Sequence, residues 1–382
     1  MITSFFIFGL SFFLVLLNPF GWGLFYYAAP FHLPFILKNS NKILYRIHKP
    51  VFYFFLFVLY ALFSYFCISH YKGAGLRVFR YVYELVVFWI LLKACMPIKR
   101  IILLHKFYIF SCLGVVVKMA IQRTVLPKAD GERYTIFNFI KYMDPNFLAA
   151  LFILPSIFLF YQIIKKKADK LTYVVLLSFL VAVFMTGSRG ALLAILLGFS
   201  LIILSIKSIK IKISFVLIVL LSLLFLVKFK SEKLNRFNIK NLQDGSNMLR
   251  FHLWYTAFRI FLSNPLFGRG ANSMIILGPE FGVRINIMVH NTVLEILADY
   301  GLFGFFLWMA PFLSILRKAM KKHNSLVVSI LASTFFAAFF ISAQDSSFWW
   351  QNIILCSLML KYRIDDILDF KLVGGRYFAR VR

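Results

Sequence analysis

Residues 148–164 read LAALFILPSIFLFYQII, a run without a single charged side chain. A run of this length suits an α-helix that crosses a bilayer, because a helix satisfies its backbone hydrogen bonds internally where no water is present. A membrane-spanning β-barrel would instead alternate polar and apolar positions over shorter segments. The same pattern recurs from end to end: hydrophobic residues make up 61% of the 382 and charged residues 15%. The sequence therefore predicts an all-α, polytopic integral membrane protein.

Apolar runs of about 17 to 25 residues fall near 3–18, 19–37, 50–70, 81–97, 101–121, 145–163, 171–187, 190–206, 213–227, 291–316, 325–343 and 347–360. They predict about twelve transmembrane helices in a single transmembrane domain, residues 1–382. The opening MITSFFIFGLSFFLVLL has no basic leader and no small-residue cleavage site, so it is expected to remain as the first span. No internal repeat is evident, which gives an inverted-repeat transporter no support.

The net charge is +29, but the bases cluster in alternate connections: 38–49, 97–100, 165–170, 207–212, 317–323 and the tail from Lys361. That alternation marks cytoplasmic loops and places both termini inside; it does not call for nucleic acid. Residues 228–290 form the one long connection, expected on the periplasmic or extracellular side, and long loops escape the positive-inside rule. Within it Met248, Phe251, Trp254, Tyr255, Phe258 and Phe261–Leu262 recur at helical spacing, predicting an amphipathic helix against the membrane. The four cysteines, Cys67, Cys95, Cys112 and Cys356, lie inside apolar runs without paired or metal-like spacing. They are expected to be structural, and neither metal nor cofactor is expected.

Four polar constellations exceed what plain spans need, and all map to the outer face. In TGSRGALLA (186–194), Ser188, Arg189 and Gly190 make the whole connection between two apolar runs. Arg189 there is either a snorkelling interface marker or an anion ligand, since a guanidinium fork fits phosphate oxygens. In residues 245–273, Arg250 and Arg259 flank the amphipathic helix, and Gly268 and Gly270 make a turn around Arg269. In VHNTVLEILADYGLFGFFLW (289–308), intervals of four put Asn291, Glu295 and Asp299 on one helix face, with His290 at its mouth. Asn291 also fits an N-cap, and the carboxylates fit helix-dipole partners. Finally, Asp144-Pro145 starts the sixth span as cap and first helical residue.

Taken in order, TGSRGALLAILLG, then R…W…A…F…NPLFGRG, then HNTVLEILADYGLFGFFLW resemble the O-antigen polymerase and ligase superfamily of bacterial envelopes. The likeness covers residues 140 to 310, with DPNFLAALFILP as a further piece. It implies a metal-independent membrane glycosyltransferase in the bacterial cytoplasmic (inner) membrane. The implied donor is an oligosaccharide on undecaprenyl diphosphate, and the glycan passes to an acceptor hydroxyl at the outer face. By motif position, His290 is similar to the family's catalytic base, and Arg189 and Arg250 to its diphosphate-binding arginines. Glu295 could orient the imidazole, while Asn291, Asp299, Arg269 and Asp144 are candidate supporting residues. The wording of GSRGA and ADYGLFG favours an O-antigen or capsular polysaccharide polymerase, whose acceptor is itself carrier-linked. A ligase acting on lipid A core is the alternative, and a lipid-linked oligosaccharide flippase is the rival of another class. Membrane lipids, a chain-length regulator and a flippase of the same pathway are the partners so implied.

Overall fold

Helix boundaries in this chain follow local chemistry. The computed structural model describes residues 48–94, 98–125, 135–138, 141–213, 215–217, 245–283, 288–343 and 346–368. Helices α1 (Lys49–Cys67), α2 (Ala74–Ala94) and α3 (Ile98–Val125) come first. A two-residue antiparallel pair follows, β1 (Phe137–Asn138) with β2 (Lys141–Tyr142), a small exception to the expected all-α fold. Asp144 then caps α4 (Pro145–Ala150), accepting from the Asn146 and Phe147 N–H groups, with Pro145 in the first turn, where its missing N–H costs nothing. Pro155 cannot donate to the carbonyl of Leu151, and the chain turns at 151–152 before α5 (Ile153–Ile164).

Helix α6 (Lys170–Thr186) opens with a reciprocal capping box between Asp169 and Thr172 and closes at Gly187, whose φ of 64° suits a residue without Cβ. Helix α7 (Arg189–Ser205) follows at once, so the connection is Gly187-Ser188, and Arg189 and Gly190 already belong to the first turn. The long loop contains α8 (Gly245–Ser263), α9 (Ser273–Leu277) and a 3-10 turn at Gly278–Phe281. Asn291 caps α10 (Thr292–Lys321) by accepting from the Leu294 N–H; Glu295 lies in its first turn and Lys318 and Lys321 in its last, each complementing the helix dipole. Helices α11 (Ser325–Ala338), α12 (Ser347–Met359) and α13 (Ile364–Leu368) complete the described chain.

Among the described residues four segments are long and apolar enough to cross a membrane: Lys49–Cys67, Ile101–Gln122, Pro145–Ile164 and Thr292–Lys321. Lys170–Thr186, Arg189–Ser205 and Ser325–Ala338 are shorter apolar helices. The spans expected near 3–18 and 19–37 lie outside the described residues, as does most of that near 213–227. The span expected from residue 81 begins at Ala74, which brings Arg77 and Arg80 inside a helix.

Aromatic stacking ties the bundle together. Phe54 of α1 stacks on Trp350 of α12 at 3.6 Å between ring centres, and Trp308 of α10 on Trp349 at 4.4 Å. Gly198 lets α7 lie close to α5 and α11, since a Cβ there would come within 2.3 Å of Ile157 and 2.7 Å of Ser333 Oγ. Small residues at such crossings bring helices together where lipid offers no hydrophobic driving force. At one end of the bundle Lys322 Nζ donates to the Leu360 carbonyl at 2.8 Å, and Lys361 Nζ to that of Leu92. The polar constellations collect at the other end.

Candidate functional site

Helix α10 does not run through unbroken, as the sequence led one to expect. Gly301 adopts φ 65° and ψ −169°, which interrupts it. The loop that follows α8 fills the gap. In a continuous helix the N–H groups of Leu302 and Phe303 would bond to the carbonyls of Ala298 and Asp299. Here those carbonyls accept from the Arg269 and Gly270 N–H groups at 2.9 and 2.7 Å. The Leu302 and Phe303 N–H groups donate instead to the Pro265 and Leu266 carbonyls at 2.8 and 3.1 Å. Tyr60 of α1 adds its hydroxyl, donating to the Phe267 carbonyl at 2.7 Å. These four backbone groups are thereby satisfied, as irregular backbone at membrane depth requires. The motifs NPLFGRG and ADYGLFG are thus two halves of one joint.

Asp299 anchors the same joint. Its carboxylate accepts from the Ser273 N–H at 3.0 Å, the Ser273 hydroxyl at 2.6 Å and the Asn272 N–H at 3.3 Å. Arg77 of α2 reaches Asp299 at 2.8 Å and Glu295 at 2.9 Å from one guanidinium nitrogen, and all three side chains are buried. The equal spacing of Glu295 and Asp299 is therefore realised as a shared cation. Glu295 makes no hydrogen bond to His290, and its Oε2 is buried without a hydrogen-bond partner. Arg77 was not singled out from the sequence because it was assigned to a connection; its place three residues before Arg80, at the head of a mostly apolar run, was the available signal.

His290 stands just ahead of the Asn291 cap, half-buried, with φ 54°. A non-glycine residue is uncommon in this left-handed region and is held there by its surroundings. The surroundings are the turn between α11 and α12. The His290 N–H donates to Ser342 Oγ at 3.0 Å, the Thr292 hydroxyl to the Ile341 carbonyl at 2.6 Å, and the Ala343 N–H to Thr292 Oγ1 at 2.8 Å. Beside this turn lies α7: a Cβ on Gly190 would come within 2.8 Å of Phe340. The GSRG corner and the HNT segment thus grip the same short turn from two sides.

Arg250 completes the gathering. It is half-buried on α8, and loss of hydration pushes its pKa below the usual guanidinium range; Asp144 acts against that shift, and Arg189 adds to it. Asp144 at the start of α4 and Arg189 on α7 thus both act electrostatically on Arg250 of α8. Two guanidinium groups held near each other, one of them half-buried, form a ready receptor for an anion.

The remaining candidates are placed otherwise. Arg269 is exposed and turns to the end of α8, donating to Ser263 Oγ at 2.8 Å and to the Ser263 carbonyl at 3.3 Å. Arg259 lies over the Phe281 ring at 5.2 Å. Asn291 and Asp144 both serve as caps, and Asp144 faces Arg250 as well. Helix α8 has two apolar faces: Leu253, Ala257 and Ile260 are buried in the protein, whereas Phe251, Tyr255 and Leu262 stay 61%, 62% and 56% exposed. The second face holds three residues of the apolar stripe expected from the sequence. Helix α3 buries His105, Lys106 and Lys118, which the sequence reading had absorbed into a plain span. Among the described residues no group of three or more His, Cys, Asp or Glu could hold a metal ion.

Fold and site together define a multi-pass helical membrane protein whose polar chemistry gathers at one end of the bundle. Residues 173–309 match the family model described as O-antigen ligase. This stretch holds Arg189, Arg250, His290, Glu295 and Gly301, and over it the chain resembles the O-antigen polymerase and ligase superfamily. No curated protein matches the chain.

Proposed function

We propose that this protein transfers a glycan from a polyprenyl-diphosphate carrier to a sugar hydroxyl at the outer face of the cytoplasmic membrane. The observation that carries the reading is that Arg189, Arg250 and His290 all lie in the matched stretch, with Arg189 and Asp144 acting electrostatically on Arg250 and the corner of Arg189 and Gly190 packed on the turn that holds His290. The acceptor oxygen attacks the anomeric carbon, the bond from that carbon to the diphosphate oxygen breaks, and the hydroxyl proton passes to His290. Undecaprenyl diphosphate leaves with its charge held by Arg189 and Arg250. A diphosphate leaving group needs charge neutralisation more than protonation, and imidazole takes up a proton near neutral pH. Asp144 keeps the arginine pair from repelling itself apart before the donor arrives.

The basic corners 165–170 and 317–323 lie at the opposite end of the bundle, which supports an outward-facing site and cytoplasmic termini. The acceptor we favour is a second carrier-linked repeat, as in a polymerase. A ligase acting on lipid A core is the second reading, supported by the match to the O-antigen ligase family model. The buried His105, Lys106 and Lys118 are the residues a flippase reading would use. Purified protein in liposomes, given carrier-linked repeat units with and without lipid A core, tests all three. Lengthened carrier-linked chains support the polymerase, and lipid A core carrying glycan supports the ligase. Movement of repeats across the bilayer with no new glycosidic bond would overturn the transferase reading.

A further inference from the structure

We infer that Arg77 is a positioning residue for this reaction: by clasping Glu295 and Asp299 it sets the register between the helix that carries Arg250 and the helix that His290 precedes. The inference rests on the transferase reading above for its functional half, and on geometry alone for its structural half.

The ionic cluster is fully enclosed, with side-chain exposures of 5% for Arg77, 3% for Glu295 and 0% for Asp299. One cation faces two carboxylates, so neither acid can move away without leaving buried charge uncompensated. Ser273 and Asn272 supply Asp299 with three further donors. Those donors belong to the segment that follows the α10 joint, and that segment is the direct continuation of α8. Two more bonds fasten it to the corner between α1 and α2: Ser69 Oγ donates to the Arg269 carbonyl at 2.8 Å, and Asn272 Nδ2 to the Lys72 carbonyl at 3.2 Å.

Arg77 itself rises from that corner, near the start of α2. It therefore sits where three bodies meet: the α1–α2 corner, the loop leading from α8, and the first turns of α10. Glu295 lies one helical turn beyond Asn291, the residue after His290. A guanidinium that holds Glu295 and Asp299 together fixes both the pitch of those first turns and the seat of the loop. Arg250 and His290 stand on the two pieces so joined. Small displacements between a bound donor and a base cost rate far more than affinity, about 100-fold for roughly 1 Å.

The test uses the full-length protein in lipid discs, with its native cysteines replaced and spin labels on cysteines at Tyr255 of α8 and Met288 ahead of His290. Arg77→Gln should broaden the distance between the labels and lower kcat by about 100-fold, with donor half-saturation within about twofold, because Arg189 and Arg250 are untouched. Arg77→Lys keeps the charge and should restore most of the narrow distribution, with kcat reduced by no more than about tenfold. Should Arg77→Gln fail to accumulate, Arg77→Lys decides alone against the wild type: a measurable broadening with a loss of kcat of up to about tenfold supports the inference, and a wild-type distance or a wild-type kcat overturns it. An unchanged distance in both variants overturns the inference whatever the protein's activity. A broadened distance with unchanged kcat overturns the positioning role. Absence of transfer by the wild type removes the transferase reading and with it the functional half, while the distances still judge the clasp.

Discussion

Gly268 and Gly301 meet back to back across the α10 joint. A Cβ on Gly268 would fall 2.5 Å from the Asp299 carbonyl and the Gly301 nitrogen, and a Cβ on Gly301 would fall 2.5 Å from the Leu266 carbonyl. Both also have positive φ, 74° and 65°. The close approach is what allows the loop's carbonyls and N–H groups to replace the intrahelical bonds of α10, so the two glycines are one feature divided between two motifs 33 residues apart.

Alanine at either position should therefore be severe. Gly268→Ala and Gly301→Ala each combine backbone strain with a backbone clash, at a cost of at least about 3 kcal/mol. Gly282 also has positive φ, 97°, yet nothing lies within 4 Å of its Cβ position. Gly282→Ala should cost only about 1 kcal/mol. Thermal unfolding followed by size-exclusion in detergent checks the contrast; equal losses for all three would mean that conformation alone, and not the close approach, matters.

Tyr60 reports on the same joint from the α1 side. Tyr60→Phe removes the hydroxyl that donates to the Phe267 carbonyl at 2.7 Å while keeping the ring against Phe303. A loss of about 1–2 kcal/mol is expected, read as a lower melting temperature with normal membrane insertion. Wild-type stability would show that the loop holds without this bond.

The joint also marks where sequence reading stops. Asp144 and Asn291 could be placed from the sequence because caps depend on neighbours in the chain. The four-residue interval from Glu295 to Asp299 correctly put both acids on one face. Their partner could not be read, since Arg77 lies 222 residues from Asp299 and pairing at that distance leaves no periodic trace. The break at Gly301 was hidden for a related reason: ADYGLFGFFLW is apolar enough to read as continuous helix, and only the loop from another part of the chain makes the interruption stable. Likewise, intervals of three and four on α8 revealed the exposed stripe of Phe251, Tyr255 and Leu262, but not that Leu253, Ala257 and Ile260 face the protein.

Orientation can be tested without any substrate. Glu280 is exposed beside α9, in the long loop expected outside. Cysteine at Glu280, in a chain without the four native cysteines, should react with a membrane-impermeant thiol reagent once the outer barrier of the cell is opened. Lys166, in the corner between α5 and α6, should react as cysteine only after the inner membrane is lysed. The reverse pattern would invert the topology and place the arginine pair in the cytoplasm.

The arginine pair should separate charge from geometry. Arg189→Lys keeps the cation but replaces the planar fork with a point charge. If the fork grips two phosphate oxygens, donor half-saturation should rise about tenfold at unchanged protein level. Arg250→Ala removes the half-buried partner and should raise it further, toward about 100-fold. Titration of purified variants with the carrier-linked donor measures both; wild-type donor dependence in Arg189→Lys would reduce Arg189 to an interface marker.

His290 calls for a substitution that respects its backbone. Alanine at φ 54° would add strain to the loss of the imidazole, so a fall in activity would have two explanations. Asparagine tolerates the left-handed region better than most residues and cannot serve as a base near neutral pH. His290→Asn should therefore keep the N–H bond to Ser342 Oγ, normal stability and donor binding, while transfer falls by about 100-fold or more. The glycan that accumulates then distinguishes the readings. A polymerase leaves single carrier-linked repeats on the outer face, a ligase leaves long carrier-linked chains that never reach lipid A core, and a flippase leaves repeats on the cytoplasmic face. Normal long-chain glycan on the surface of His290→Asn cells would remove His290 from the chemistry and leave its φ as a purely structural consequence of the Ser342 bond.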